Sequence, residues 1–375
     1  MYILKMKAAF LSIFVVFLLS NIYVAFRLWQ LIPANNLLRT ALIGIMLIGF
    51  LSTFIFFIFG ESLPINLSSL LYKIGTSWMI AFFYLFLFVV ILDLFWLSAS
   101  IFKFVSKDFL LQYFRHSAIT SSILFVALGS LLLYGYINYN HKKRVHIPIT
   151  TSKVENPMRI VAVSDLHLGY TIGKKELSRW IKLINKEKPD MVLIAGDLID
   201  NQLRPVNAQR MFDELNKIDA PMGVFACTGN HEYISGIKES SEFFNKAGIT
   251  LLRDSTATVG DITIIGREDF TYKNRKPLAD IIKNIDSSTF SILLDHQPNA
   301  LGDATDANID MQISGHTHYG QVFPASLVTK KLFEVAHGYI KKQNTHIYVS
   351  SGLGIWGGKF RIGTQSEYLV IEIGN

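Results

Sequence analysis

The chain has 375 residues, more than one average domain needs; half of them are hydrophobic and 17% are charged, against about 25% in a soluble domain. Apolar residues dominate 8–140 while 141–375 has ordinary globular composition, which excludes a wholly soluble protein. A single cysteine, Cys227, excludes an internal disulfide, and the net charge of +7 gathers partly at Lys142, Lys143 and Arg144 beside the apolar half, where it suits anionic headgroups better than nucleic acid.

Four stretches have the roughly 20 apolar residues that a helix needs to cross a bilayer: 8–28, 40–60, 74–99 and 118–138. No small-residue cleavage site follows the first, so it reads as a retained span. Trp78 and Trp96 bracket the third as interfacial aromatics do. Asp93 is the one acidic residue inside a span; it lies three positions from Trp96 and is expected to reach headgroup water. The spans show no paired charges or interrupted helices, which speaks against a transporter. Lys5, Lys7, Lys73, Lys142, Lys143 and Arg144 fall on one side, and Arg27, Arg39, Lys103, Lys107 and Arg115 on the other. The Lys142–Arg144 cluster tips the next domain to the cytoplasm, giving a multi-pass protein expected in a bacterial plasma membrane.

Residues 1–140 are thus a transmembrane region and 141–157 a polar connector with Pro148 and Pro157, in which Val145–Ile149 can already form an edge strand. Residues 158–375 alternate strands with helices, as an α/β layered domain does. Expected strands are 159–164, 191–195, 223–228, 262–266, 291–294, 311–314, 346–350 and 368–373; 174–186 has helical periodicity.

Polar residues sit where the strands end. Asp165 and His167 follow the first strand, Gly196-Asp197 the second and Gly229-Asn230-His231 the third; Asp295-His296 and Gly315-His316-Thr317-His318 follow later ones. Ligands of α/β sheets gather at the carboxyl ends of strands. Asp165, His167, Asp197, Asn230, His296, His316 and His318 form a set without thiolate that suits Mn, Fe or Zn. Seven donors suffice for two cations about 3.5–4 Å apart that clamp a phosphoryl group and activate water near neutral pH, so no separate general base is needed. Glycines 196, 229 and 315 allow sharp turns where the donors emerge. One such residue at a strand end is usually a cap or a turn; five loops of this kind are not.

The segments Ser164-Asp165-Leu166-His167-Leu168-Gly169, Gly196-Asp197-Leu198-Ile199-Asp200, Gly229-Asn230-His231-Glu232, His296 and Gly315-His316-Thr317-His318 resemble the calcineurin-like metallophosphoesterase superfamily over about 155–375. The tail Gly352-Leu353-Gly354 with Arg361 and Gly363 is similar to its bacterial YkuE/YaeI-like branch. The resemblance implies a four-layer α/β/β/α sandwich behind a bundle of about four transmembrane helices. It implies that Asp165, His167 and His318 hold one metal and Asn230, His296 and His316 a second, with Asp197 bridging both. His231 would stabilise the phosphoryl oxygens or protonate the leaving group, with Asp200 orienting it. Ser164, Leu168 and Asn201-Gln202 depart from the protein phosphatase pattern. Tyr319 stands where the branch often has glycine and is expected to pack.

The function expected is a membrane-anchored dinuclear-metal phosphohydrolase acting on a phosphodiester or pyrophosphate, lipid-linked or nucleotide-linked, with the bilayer as its partner. A metal-binding scaffold on a membrane anchor is the alternative. The charged and aromatic insert 267–276 (Phe270, Tyr272) is expected to be a solvated loop.

Overall fold

The computed structural model describes residues 2–374, with side chains from residue 12 onward, and divides into two units, Met1–Tyr134 and Gly135–Asn375. The side chains of Lys5 and Lys7 lie outside the described residues. The helices α1 (Tyr2–Leu31), α2 (Asn36–Phe59), α3 (Ile65–Phe102), α4 (Lys107–Phe114) and α5 (Ala118–Asn140) come first. Among the described residues, four segments are long and apolar enough to cross a membrane: Ser12–Leu31, Asn36–Phe59, Ile65–Phe102 and Ala118–Asn140. They are transmembrane helices.

The helix α3 overruns its expected limits at both ends. Its 38 residues would extend about 57 Å at 1.5 Å each, well beyond the ~30 Å hydrocarbon layer. Trp78 lies within α3. It packs beside Gly49 of α2, where any side chain would overlap the indole. Close approach of α2 and α3 also lets Thr53 Oγ1 donate to the Gly75 carbonyl at 3.2 Å.

Asp93, still partly exposed, has partners within the helices as well. Arg27 Nε of α1 donates to both of its carboxylate oxygens at 2.9 and 2.8 Å, and Tyr23 donates its hydroxyl at 2.6 Å. The spans thus do carry a paired charge, joining α1 to α3. The partners are 66 residues apart, which no local pattern exposes.

In the second unit two six-stranded sheets are formed. The strands are β1 (Lys143–Thr150), β2 (Met158–Val163), β3 (Met191–Ala195), β4 (Val224–Cys227), β5 (Thr250–Leu252) and β6 (Ser255–Val259). They continue as β7 (Ile262–Gly266), β8 (Phe290–Leu294), β9 (Met311–Ser314), β10 (Gly338–Lys342), β11 (Thr345–Val349) and β12 (Glu367–Gly374). One sheet has the order β1-β12-β2-β3-β4-β5 and the other β10-β11-β9-β8-β7-β6. The strands β2 to β5 run parallel, as do β7, β8 and β9. The stretch 143–150, inside the expected connector, pairs in parallel with β12 from Lys143↔Glu367 to Thr150↔Gly374.

The inner faces of both sheets share one apolar core, including Ile160, Leu193 and Phe225 from one and Ile264, Ile292 and Ile313 from the other. The outer face of the first sheet is covered by α6 (Lys174–Lys186), whose Leu177, Trp180, Ile181 and Ile184 recur at helical spacing, and by Phe243 and Phe244 of α10 (Ile237–Lys246). Leu278 of α11 (Leu278–Ile282) and Ala304 of α12 (Leu301–Asp306) cover Ile265 and Leu293 on the second. The result is the four-layer α/β/β/α sandwich. The short α7 (Leu203–Ala208) and α8 (Phe212–Leu215) link β3 to β4, α9 (Asn230–Ile234) follows β4, and α13 (Ala325–Leu332) follows β9.

Candidate metal centre

The seven donor side chains leave the carboxyl ends of five strands, three in one sheet and two in the other. Asp165 and His167 follow β2, Asp197 follows β3, and Asn230 opens α9 after β4; His296 follows β8, and His316 and His318 follow β9. The loops are tied to each other by backbone bonds: Asp165 N–H to the Gly196 carbonyl (3.1 Å), His167 N–H to the Asp197 carbonyl (3.1 Å) and Gly315 N–H to the His296 carbonyl (2.9 Å).

The donor atoms converge in two groups, Asp165 with His167 and His318, and Asp197 with His296 and His316. His167 Nε2 lies 3.0 Å from His318 Nε2, and Asp165 Oδ1 is 3.5 Å from the latter. Asn230 Oδ1 lies 2.9 Å from His316 Nδ1 and so joins the second group. Asp197 Oδ2 sits between the groups, 3.1 Å from His296 Nε2 and 3.7 Å from His167 Nε2. Donors held ~2.1 Å from a common ion stand about 3 Å apart, so these spacings are those of a ligand shell.

The protonation pattern gives an independent test of fit. His296 Nδ1 faces the Ala195 carbonyl at 2.8 Å and must carry a proton, because a carbonyl only accepts. Burial opposes a charge on this ring, but the Asp197 carboxylate 3.1 Å from Nε2 raises its pKa well above the usual value, so without a cation Nε2 is protonated too, and a bound cation would take that proton's place. Burial lowers the pKa of His316 and His318, helped by His296 beside the one and His167 beside the other, so both are neutral and able to coordinate. Burial opposes ionisation of Asp197, yet His296, His231 and His167 hold its carboxyl well below the usual carboxylate range. The set of imidazole, carboxylate and amide oxygen fits divalent cations.

Five of the seven donors, Asp165 (φ 52), His167 (φ 47), Asp197 (φ 51), His316 (φ 69) and His318 (φ 45), adopt left-handed backbone. Such conformations are costly for non-glycine residues and cluster at functional sites. Of the three glycines expected to turn the chain, Gly196 alone has positive φ, at 79°. At 229 and 315 the requirement is close approach: a side chain would overlap the carboxylates of Asp197 and Asp165.

Asp200 Oδ1 stands 3.4 Å from His231 Nδ1 and equally 3.4 Å from His167 Nδ1, so one carboxylate faces both histidines. Burial alone would lower the pKa of His231, but the Asp200 bond and the charges of Asp197 and Asp200 lift it to about 9. The rings of His167 and His231 meet edge to face at 4.5 Å.

Three supporting features went unforeseen. Glu232, fully buried, accepts from the N–H groups of Gly229 (2.7 Å), Asp197 (3.0 Å) and Ile199 (3.1 Å), locking two donor loops together. Its signal was the glutamate three residues after the glycine that caps α9. Arg361, also fully buried, donates to the carbonyls of His318 (2.8 Å), Ser351 (2.5 Å) and Gly354 (2.9 Å). The segment 267–276 is a solvated loop only in part: Arg267, Glu268 and Asp269 are buried, whereas 270–274 and 276 are exposed. Glu268 accepts from Tyr233 and Arg253, and Asp269 from Gln297. Partners drawn from three distant elements hold it down, with Phe270 and Tyr272 left exposed and Tyr272 stacked on Tyr233. Tyr319 packs face to face on His337 at 4.9 Å.

The profile of the calcineurin-like phosphoesterases matches residues 158–320, which contain all seven donors. A metallophosphoesterase of Helicobacter pylori, described as uncharacterized, is 35% identical over 60% of this chain and 62% of its own. The metallophosphoesterase YkuE of Bacillus subtilis, likewise described as uncharacterized, is 30% identical over 64% of this chain and 89% of its own. A zebrafish transmembrane protein with a metallophosphoesterase domain is 31% identical over 63% of this chain and 59% of its own. The chain therefore spans about three fifths of the Helicobacter and zebrafish relatives.

Proposed function

The chain belongs to the calcineurin-like metallophosphoesterase family, and from that membership we propose a membrane-anchored hydrolase that cleaves a phosphodiester or pyrophosphate bond with two divalent cations. The observation that carries the dinuclear reading is the Asp197 carboxylate, whose Oδ2 faces a histidine of each donor group. Asp165, His167 and His318 would hold one ion, and Asn230, His296 and His316 the other. When bound, the ions polarise the phosphoryl oxygens and acidify the attacking water.

In the reaction, water adds to phosphorus while the bond from phosphorus to the leaving oxygen breaks. His231 gives its proton to that oxygen, and the water's proton passes to solvent. Asp200 keeps the His231 ring aimed and its charge stabilised. His231, raised to about 9 by Asp197 and Asp200, would titrate lower with cations held beside Asp197, nearer the working range of a general acid. The complete donor set argues against a scaffold whose site has decayed. The bilayer is the expected partner and the substrate is lipid-linked or nucleotide-linked. The catalytic unit is proposed to face the cytoplasm of a bacterial plasma membrane.

The test is hydrolysis of bis-p-nitrophenyl phosphate by detergent-purified, Mn-loaded protein. Turnover should vanish on chelation and in Asp197→Asn. It should fall about 10²- to 10⁴-fold in His231→Ala with metal content unchanged. Absence of metal-dependent turnover in protein with Mn and Zn confirmed bound would overturn the diesterase reading and favour the scaffold.

A further inference from the structure

Exposed large apolar side chains in the second unit are not scattered. Among the described residues beyond the end of α5, they fall mainly on segments beside the donor loops: Ile234 (58% exposed) in the helix of His231, Phe270 (49%) in the segment packed on that helix, and Phe323 (51%), Leu327 (51%), Val328 (57%) and Leu332 (71%) after His318. Single exposed apolar residues need no explanation, but a cluster around one site does.

The helix α13 carries the densest part. Its positions 327, 328, 331 and 332 share one face, which presents Leu327, Val328 and Leu332 to solvent with Lys331 between them. Lys330 adjoins that face, its ammonium 5.5 Å over the ring of Tyr319. Ser326, on the opposite side, is buried. Exposed leucine and valine interspersed with lysine is the composition of a helix lying in a membrane interface. The helix is also held to the donor centre, for the ring of Phe333 at its end lies 6.0 Å from that of His316.

The same unit marks where the chain leaves the bilayer. Gly135–Asn140, the end of the spanning helix α5, belongs to it. Gly135 accepts from Arg361 N–H at 2.9 Å, and Asn138 donates to the carbonyls of Arg361 (2.9 Å) and Thr364 (2.7 Å). Phe323 N–H in turn donates to the Ile362 carbonyl at 2.7 Å. A short run of direct contacts therefore leads from the membrane-spanning helix to the start of α13. Tyr136 and Ile137 of the helix end are themselves 50% and 59% exposed.

We propose that α13 lies in the headgroup layer of the bilayer that anchors the chain, with its lysines on anionic lipid, so that the donor centre opens onto the membrane surface and takes an amphiphilic phosphoester presented by the lipid. The substrate half of this rests on the hydrolase reading above; the membrane contact does not.

Full-length chain with Val328→Cys, carrying an environment-sensitive fluorophore, is reconstituted in vesicles of zwitterionic and anionic phospholipid with spin-labelled acyl chains. Lys246→Cys, on the exposed side of α10, is the reference site, and unsubstituted protein controls for the buried Cys227. The label at 328 should be blue-shifted and quenched by the spin labels, and the one at 246 neither. Equal behaviour at both sites overturns the proposal. So does a shielded label at 328 without lipid quenching in protein that forms 328–328 disulfides, which would mean that a second copy covers the helix. The variant Leu327→Glu/Val328→Glu should lose ~10-fold or more in kcat/KM on a bilayer-embedded phosphodiester, through lost apolar burial, while keeping its rate on bis-p-nitrophenyl phosphate. Equal loss on both, or loss on neither, overturns lipid presentation. If the parent hydrolyses nothing, the hydrolase reading fails while the quenching still decides the contact.

Discussion

Arg361 carries more of the site than its distance in sequence from the donors suggests. Burial lowers its guanidinium to about 10, yet it remains cationic at neutral pH and spends its donors on the carbonyls of His318, Ser351 and Gly354. Replacing Arg361 with Met keeps much of the stem but leaves buried carbonyls without donors. Thermal unfolding should show a loss of about 3 kcal/mol or more, with Arg361→Lys intermediate. Glu367 gives a pH-dependent counterpart. Burial would raise its pKa, but bonds from His337 (2.9 Å) and Ser351 N–H (3.0 Å) hold it below the usual carboxylate range. With the folded pKa below the unfolded value of about 4.3, its contribution is present above that pH and lost as pH falls through the folded value. Glu367→Gln should therefore cost about 1–3 kcal/mol at pH 7 and progressively less on acidification, read as converging melting curves. The candidate donors were legible because each stands within a few residues of a strand end, and Asp197, Asn230 and His316 directly follow a glycine. Arg361 was not, since its role is defined by carbonyls that adjoin only after folding.

Elements follow the same division. Residues 174–186, 191–195, 262–266 and 311–314 form the helix and strands that their apolar pattern predicts, because those faces are buried against neighbours. The strands β5, β6 and β10 escaped notice: they are edge or edge-proximal pieces with exposed polar residues such as Thr250, Ser255 and Lys341. The first turns of α3 contain Asn66, Ser68, Ser69 and Lys73, polar enough to end a hydropathy window though not a helix. The Arg27–Asp93 contact between α1 and α3 is a two-body feature. Asp93→Asn and Arg27→Gln should each destabilise the helices in detergent, and the two losses should sum to more than the loss in the double variant. The expected coupling is about 1–3 kcal/mol in a double-mutant cycle. Additive losses would mean that water already screens the pair.

At the scale of the molecule, the donor centre joins the two sheets: Asp165, Asp197 and Asn230 extend from one, and His296, His316 and His318 from the other. Cations bound there cross-link the halves of the sandwich in the folded state only. Saturation at 100 times the dissociation constant stabilises by about 2.7 kcal/mol per site, so chelation should lower the melting temperature and restored Mn or Zn should raise it. Five donors with left-handed backbone add to this, since the strain they hold is opposed by coordination. The α/β layering could be read from alternating apolar runs and the sandwich from the resemblance of the strand-end motifs, whereas the exposed apolar face of the helix after His318 could not, because Leu327, Val328 and Leu332 look like core until their exposure is known. The pairing of β1 with β12 carries a consequence for biosynthesis. The strand that directly follows the last spanning helix has, as its sheet neighbour, the strand at 367–374. A ribosome threading this chain into the membrane thus releases β1 long before its partner exists. Closure of the first sheet must wait for late translation, with the edge of β2 also open until β12 inserts between the two strands. Nascent chains stalled before residue 367 should be protease-sensitive throughout the sandwich even when their membrane helices are already in place.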